Sequence, residues 1–169
     1  MNIIETLCEF KAFRICWIFD SLSTEMKVDL VKFWLTNGAI INPEEAWRRT
    51  LEVGCIAYNA NDEIVGVSSI YRDRLQPQGS VYWFYRTFIR PDSRVLGLNS
   101  RIFDTTFNQL LVMSSRVSDA PCGVIVVTEN AKLESRGSML RLQRKGLERL
   151  GNDRRGMSVW CKSFHPIIG

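Results

Sequence analysis

The chain has a single histidine, His165, among its 169 residues. That scarcity argues against catalytic triads and dyads built on imidazole and against metal sites built on several histidines. The five cysteines, Cys8, Cys16, Cys55, Cys122 and Cys161, lie far apart and form no C-x-x-C pair. An odd number cannot all pair internally, so reduced and mostly buried thiols, as in a cytoplasm, are the simplest expectation. No run approaches the roughly 18 apolar residues that a membrane span needs. Glu5 and Glu9 stand where a signal peptide would be basic. The expectation is a cytoplasmic protein, neither exported nor embedded in a membrane. Repeats, linkers and low-complexity segments are also lacking.

What is present has the balance of an ordinary globular protein, with 46% hydrophobic and 24% charged residues. The length fits one domain spanning residues 1–169. The formal charge of +4 is mild, and basic and acidic residues are interleaved except between Arg136 and Arg155. There Arg136, Arg141, Arg144, Lys145, Arg149, Arg154 and Arg155 gather. They could contact phosphates, but a solvated helix face is the simpler account, and a nucleic-acid partner is not expected.

The pattern along the chain predicts strands separated by helices. Phe13 to Phe19 is rich in aromatic and β-branched residues and reads as a first strand. Ser23 caps a helix from Thr24 to Leu35 that stops at Asn37-Gly38, and Asn42-Pro43-Glu44-Glu45 starts a second helix to about Leu51. Cys55 to Tyr58 and Ile64 to Tyr71 flank the turn residues Asn59 to Asp62 and read as a hairpin, followed by a polar loop from Arg72 to Gly79. Ser80 to Ile89, with Tyr82, Trp83, Phe84, Tyr85 and Phe88, is too apolar for an exposed strand and should be central. Leu98 to Met113 has helical spacing, Cys122 to Val127 reads as a buried strand, a helical region from Ala131 is interrupted at Gly137 and Gly146, and Met157 to Phe164 reads as the last strand. This order predicts an α/β domain with a mixed sheet and helices on both faces.

The turn Arg94-Val95-Leu96-Gly97-Leu98-Asn99-Ser100 lies between the central strand and a helix. Several N–H groups could converge there on a pyrophosphate, where the helix dipole also favours negative charge. The run Ile89-Arg90-Pro91-Asp92-Ser93-Arg94-Val95-Leu96-Gly97-Leu98-Asn99 resembles the coenzyme A signature of the GNAT acyltransferases. Its hallmark is Q/R-x-x-G-x-G/A after a strand, often with a proline three residues before its first position. Pro91, Arg94 and Gly97 match, and Asn99 stands where the family keeps glycine or alanine. Downstream, Asn130 matches an asparagine that contacts the pantetheine arm. Leu147 and Gly151 align with the tyrosine and glycine of Y-x-x-x-G-F, so the tyrosine that often protonates the leaving thiolate is absent. The ending Arg154 to Trp160 is similar to the last strand of short GNAT relatives, some of them phage-encoded.

The resemblance implies a mostly antiparallel central sheet flanked by helices, with acetyl-coenzyme A as cosubstrate. It implies an acetyl group passed to an amine by direct attack, the acceptor being a small molecule or a protein. Phe88 and Ile89 would supply backbone groups to the pantetheine arm and the oxyanion, and Arg94, Val95, Leu96, Gly97, Leu98, Asn99 and Ser100 would hold the pyrophosphate. Tyr85 is the candidate base and Glu129 its rival. Tyr82 lies nearby on the same strand, and Asp73 in a loop over the acceptor. No metal is expected. Three alternatives stay open: a catalytically silent module of the same fold that binds a partner protein, the less favoured transfer of an acyl or related group to a nucleic acid prompted by the arginines, and core packing for the aromatic side chains of the central strand. A monomer and a homodimer are equally compatible with the sequence.

Overall fold

In the computed structural model, residues 5–128 and 135–165 are described. Along the chain run β1 (Thr6–Phe10), β2 (Phe13–Trp17), α1 (Thr24–Thr36), α2 (Pro43–Arg49), β3 (Val53–Tyr58), β4 (Ile64–Arg74) and β5 (Val81–Ile89). These are followed by α3 (Leu98–Ser114), β6 (Gly123–Val127), α4 (Arg136–Arg144), β7 (Glu148–Asn152) and β8 (Ser158–Ser163). The strands form an eight-stranded sheet in the order β1-β2-β3-β4-β5-β6-β8-β7. The β5–β6 ladder is parallel, and the ladders β1–β2, β2–β3, β3–β4, β6–β8 and β7–β8 are antiparallel. This is the mixed, mostly antiparallel α/β sheet expected from the sequence.

The starts of α1, α2 and α3 lie where the sequence placed them, whereas α4 begins at Arg136 after its cap Ser135, and the expected start at Ala131 lies outside the described residues. Ser23 Oγ accepts from the Met26 N–H at 3.3 Å and begins α1, and Asn42 Oδ1 accepts from the Glu45 N–H at 3.0 Å and begins α2 with Pro43 in its first turn. Each cap supplies an acceptor to a first-turn amide that has none within its helix. Gly38, at φ +65°, lets the chain leave α1.

The chain divides into two compact units, residues 1–70 with 87–110, and residues 71–86 with 111–169. In the first, neighbouring strand residues point to different cores. Cys16 and Ile56 pack with Leu30, Phe33, Trp34 and Ala46 of α1 and α2, whereas Ile15 and Cys55 pack with Leu98 and Ile102 of α3. Since adjacent strand side chains alternate in direction, α1 and α2 cover one face of this part of the sheet and α3 the other. A buried polar cluster ties α3 down: Ser68 Oγ and Thr106 Oγ1 are 2.9 Å apart, and the Cys55 N–H donates to Ser68 Oγ at 2.8 Å.

In the second unit, Ile125, Val159 and Cys161 form a small core flanked by Tyr82, Phe84 and Val127. Helix α4 buries none of its residues, which agrees with a solvated basic face.

The structure corrects several readings. The first strand has a partner the sequence did not announce, β1, joined to it through Lys11 at φ +54° with no glycine or proline in the turn. Asp73 lies on the exposed end of β4, not in a loop, and its Oδ1 accepts from the Arg74 N–H at 2.7 Å. Cys122 precedes β6 and is exposed rather than buried. The helix before the last hairpin runs through Gly137, where a break was expected, and stops at the other expected break, Gly146, which has φ +79° and is followed by the Leu147 N–H donating to Leu142 O at 3.1 Å, as in a Schellman-type stop. Gly151 lies in β7. The residue four before the terminating glycine is therefore Leu142, which, like Leu147, carries no phenol.

Candidate functional site

The turn after β5 is built from short local bonds. Pro91–Ser93 form one turn of 3-10 helix, closed by the Ser93 N–H donating to Arg90 O at 2.9 Å. Asp92 accepts from Arg90 Nε at 2.6 Å and from Ser93 Oγ at 2.8 Å. The Arg90 guanidinium, and after it the Ser93 hydroxyl, hold the Asp92 carboxyl below its ordinary range. Arg94 then turns back, and its Nε donates to Ile89 O at 3.0 Å, tying the start of the turn to the end of the strand.

Beyond Arg94 the backbone opens. The Val95 N–H donates to Ser93 O at 2.9 Å, the Leu98 N–H to Val95 O at 3.2 Å, and the Arg101 N–H makes the first bond of the helix, to Gly97 O at 2.9 Å. Among the described residues, the N–H groups of Leu96, Gly97, Asn99 and Ser100 donate to no protein group. Leu98 is fully buried and anchors the turn, whereas Leu96 is exposed and Ser100 half-buried. These free amides open a 17-residue helix, whose first-turn N–H groups have no acceptor within it and lie at the positive end of its dipole.

Gly97 has φ +94°, and a Cβ there would lie 2.9 Å from Phe10 Cζ. A side chain is thus disfavoured twice, by the left-handed backbone and by the ring of β1. Asn99 is exposed, and its side chain occupies no part of the core.

On β5, Trp83, Tyr85 and Ile89 are buried, and Ile89 packs with Leu98 and Ile102. Phe88 points the other way and meets Phe33 edge-on, with ring centroids 5.7 Å apart. Tyr85 shares the strand face of Ile89 by alternation. The β5–β6 ladder covers Trp83 to Tyr85, four residues short of the end of β5. The Tyr82 phenol is pushed up by burial, which makes it a poorer acid. Glu129 and Asn130 lie outside the described residues.

The structure thus gathers Ile89 and Arg94 to Ser100 in one unit, with Phe88 on the adjoining strand. It also adds three residues that sequence reasoning missed, Phe10, Lys11 and Arg101. Lys11 Nζ donates to Leu96 O at 3.2 Å, and Lys11 and Arg101 both lie over the Phe10 ring. Nothing local in the sequence connects the Phe10-Lys11 pair to a turn more than eighty positions away.

No protein-family model matches the sequence, and no curated protein does. Solved structures match over nearly the whole chain. The ribosomal-protein-S5-alanine acetyltransferase of Vibrio fischeri superposes with a TM-score of 0.64 at 12% identity, covering 94% of this chain and 97% of its own. A GNAT-family acetyltransferase of Brucella melitensis in complex with acetyl-CoA gives 0.59 at 11% identity, covering 91% and 89%. The AtaT toxin, a mutant bound to the C-terminus of its antitoxin and to acetyl-CoA, gives 0.58 at 12% identity, covering 89% and 94%. The chain has the fold of the GNAT acetyltransferases. The resemblance carried by Ile89 to Asn99 therefore holds at the level of the fold, and the turn stands between a strand and a helix as that resemblance requires.

Proposed function

We propose that this chain is an acyltransferase that binds acetyl-coenzyme A through the turn Arg94 to Ser100 and passes the acetyl group to an amine. The observation that carries the reading is the set of free N–H groups at Leu96, Gly97, Asn99 and Ser100, opening a helix in a GNAT fold. A pyrophosphate supplies the acceptor oxygens these amides lack, and the helix dipole adds to the attraction.

Bound acetyl-CoA brings a thioester, already activated for direct attack by an amine. The protein's part is to position it, to stabilise charge developing on the thioester oxygen and to accept the proton of the amine. The Phe88–Ile89 backbone is the proposed partner of the pantetheine arm and the oxyanion, with Asn130 further along the arm. Tyr85 is the proposed base and Glu129 the alternative.

A second reading is a partner-binding module that keeps the fold without turnover. Asn99 in a position the family keeps small, and a leucine at both candidate tyrosine positions, favour it. Release of free thiol from acetyl-CoA separates the two readings, measured across primary amines from small aliphatic amines to peptide N-termini and lysine peptides. Amine-dependent release lost in Tyr85→Phe or Glu129→Gln supports the enzyme. Binding of acetyl-CoA without release from any amine would overturn catalysis and favour the module.

A further inference from the structure

Two cations, one from the turn between β1 and β2 and one from the first turn of α3, lie over a single aromatic ring. Lys11 Nζ lies 5.2 Å, and Arg101 Cζ 5.5 Å, from the centroid of the same Phe10 ring. Both side chains are exposed, and among the described residues neither makes an ion pair. Like charges gathered on one ring repel each other, and the aromatic face offsets only part of this at an exposed site. Here Phe10 rests against Gly97, and Lys11 bonds the carbonyl of Leu96. The positive pair therefore flanks the same turn whose amides are free.

We propose that Lys11 and Arg101 form a cationic pair, seated on the Phe10 ring beside Gly97, that takes a phosphate group of acyl-coenzyme A. This rests on the reading of Arg94 to Ser100 as the acyl-CoA turn and extends it to a part of the chain that the signature does not include. Two phosphate sources share this chemistry, the pyrophosphate and the 3′-phosphate of the ribose. The pair acts by charge-assisted contact with phosphoryl oxygens, and Lys11 also holds the Leu96–Gly97 peptide by its carbonyl.

Isothermal titration with coenzyme A and with dephospho-coenzyme A, at low and high salt, tests the pair in wild type, Lys11→Met, Lys11→Arg and Arg101→Gln. Melting temperatures within about 2 °C of wild type show that each variant folds. The expected result is a loss of about tenfold in affinity for coenzyme A in both Lys11→Met and Arg101→Gln. Lys11→Arg restores binding, and the charge-removing variants show a weaker dependence on salt. Equal losses for both ligands assign the pair to the pyrophosphate, and a loss confined to coenzyme A assigns it to the 3′-phosphate.

Arg101 makes no side-chain bond to the turn, so it separates charge from scaffolding. If Arg101→Gln binds as wild type does while Lys11→Met is weakened, Lys11 acts only through Leu96 and the pair is overturned. Unchanged affinity in all variants overturns the pair but leaves the turn reading intact. Failure of wild type to bind coenzyme A overturns both.

Discussion

Replacing Gly97 by alanine adds one methyl group at a position where backbone and packing both oppose it. At φ +94° a residue with a Cβ costs roughly 1–2 kcal/mol. The new Cβ would lie 2.9 Å from Phe10 Cζ, and easing that contact costs about 1 kcal/mol, because the half-buried ring can shift. The sum of about 2–3 kcal/mol corresponds to a fall in Tm of about 4–12 °C for a chain of this size. Thermal unfolding followed by circular dichroism measures it, read as the transition of the unit that holds Gly97. A Phe10→Ala background separates the two causes: the packing part, about 1 kcal/mol, disappears, and the backbone part remains. A Tm change below about 1 °C for Gly97→Ala would refute the left-handed turn. Strict additivity in the double mutant would refute the contact with Phe10.

Ser68→Ala removes the acceptor of the buried Cys55 N–H and a partner of Thr106, so it is expected to cost about 1–3 kcal/mol, seen as a lower denaturation midpoint. Hydrogen bonds from Arg48, then Arg49, hold the Glu45 carboxyl at about 2, against an ordinary 4.5. Its stabilising contribution is therefore present above about 4.5 and is lost as pH falls towards 2. Melting of Glu45→Gln against wild type should show a deficit at neutral pH that closes across that window, and a deficit persisting below it contradicts the assignment. Burial pushes the Cys55 thiol up to about 11. Alkylation of the native protein with peptide mapping should therefore label exposed Cys122 early and leave Cys55 intact until unfolding.

The helices were legible because their starts are local chemistry. Ser23 and Asn42 announce α1 and α2 by side chains that bond amides three residues on, and Pro43 adds a fixed φ. The strand β5 was legible through its apolar run. Strand β1 was not, because its turn uses Lys11 in a left-handed conformation without the glycine or asparagine that marks such turns, and because its side chains are at most half-buried. Strand β7 escaped for a related reason: Glu148, Arg149 and Asn152 form an exposed edge whose order comes from pairing with β8, which local sequence does not encode. The glycine turn was legible as a short motif, and its neighbours Phe10 and Lys11 were not, since the sheet brings them there. The base is a question of side chains far apart in sequence, and no local pattern singles out Tyr85 or Glu129.

If the turn Arg94 to Ser100 holds acetyl-coenzyme A, adding the ligand must raise the Tm of the protein. A ligand at about 100 times its Kd stabilises the folded state by about 2.7 kcal/mol, which is a rise of about 5–11 °C here. Ser100→Glu, which places a negative charge in the first turn of α3 without disturbing the core, should abolish the rise while keeping the unliganded Tm. The expected outcome is a rise at millimolar acetyl-CoA that is lost in Ser100→Glu; an unchanged Tm for the wild type would mean that the turn does not hold the ligand.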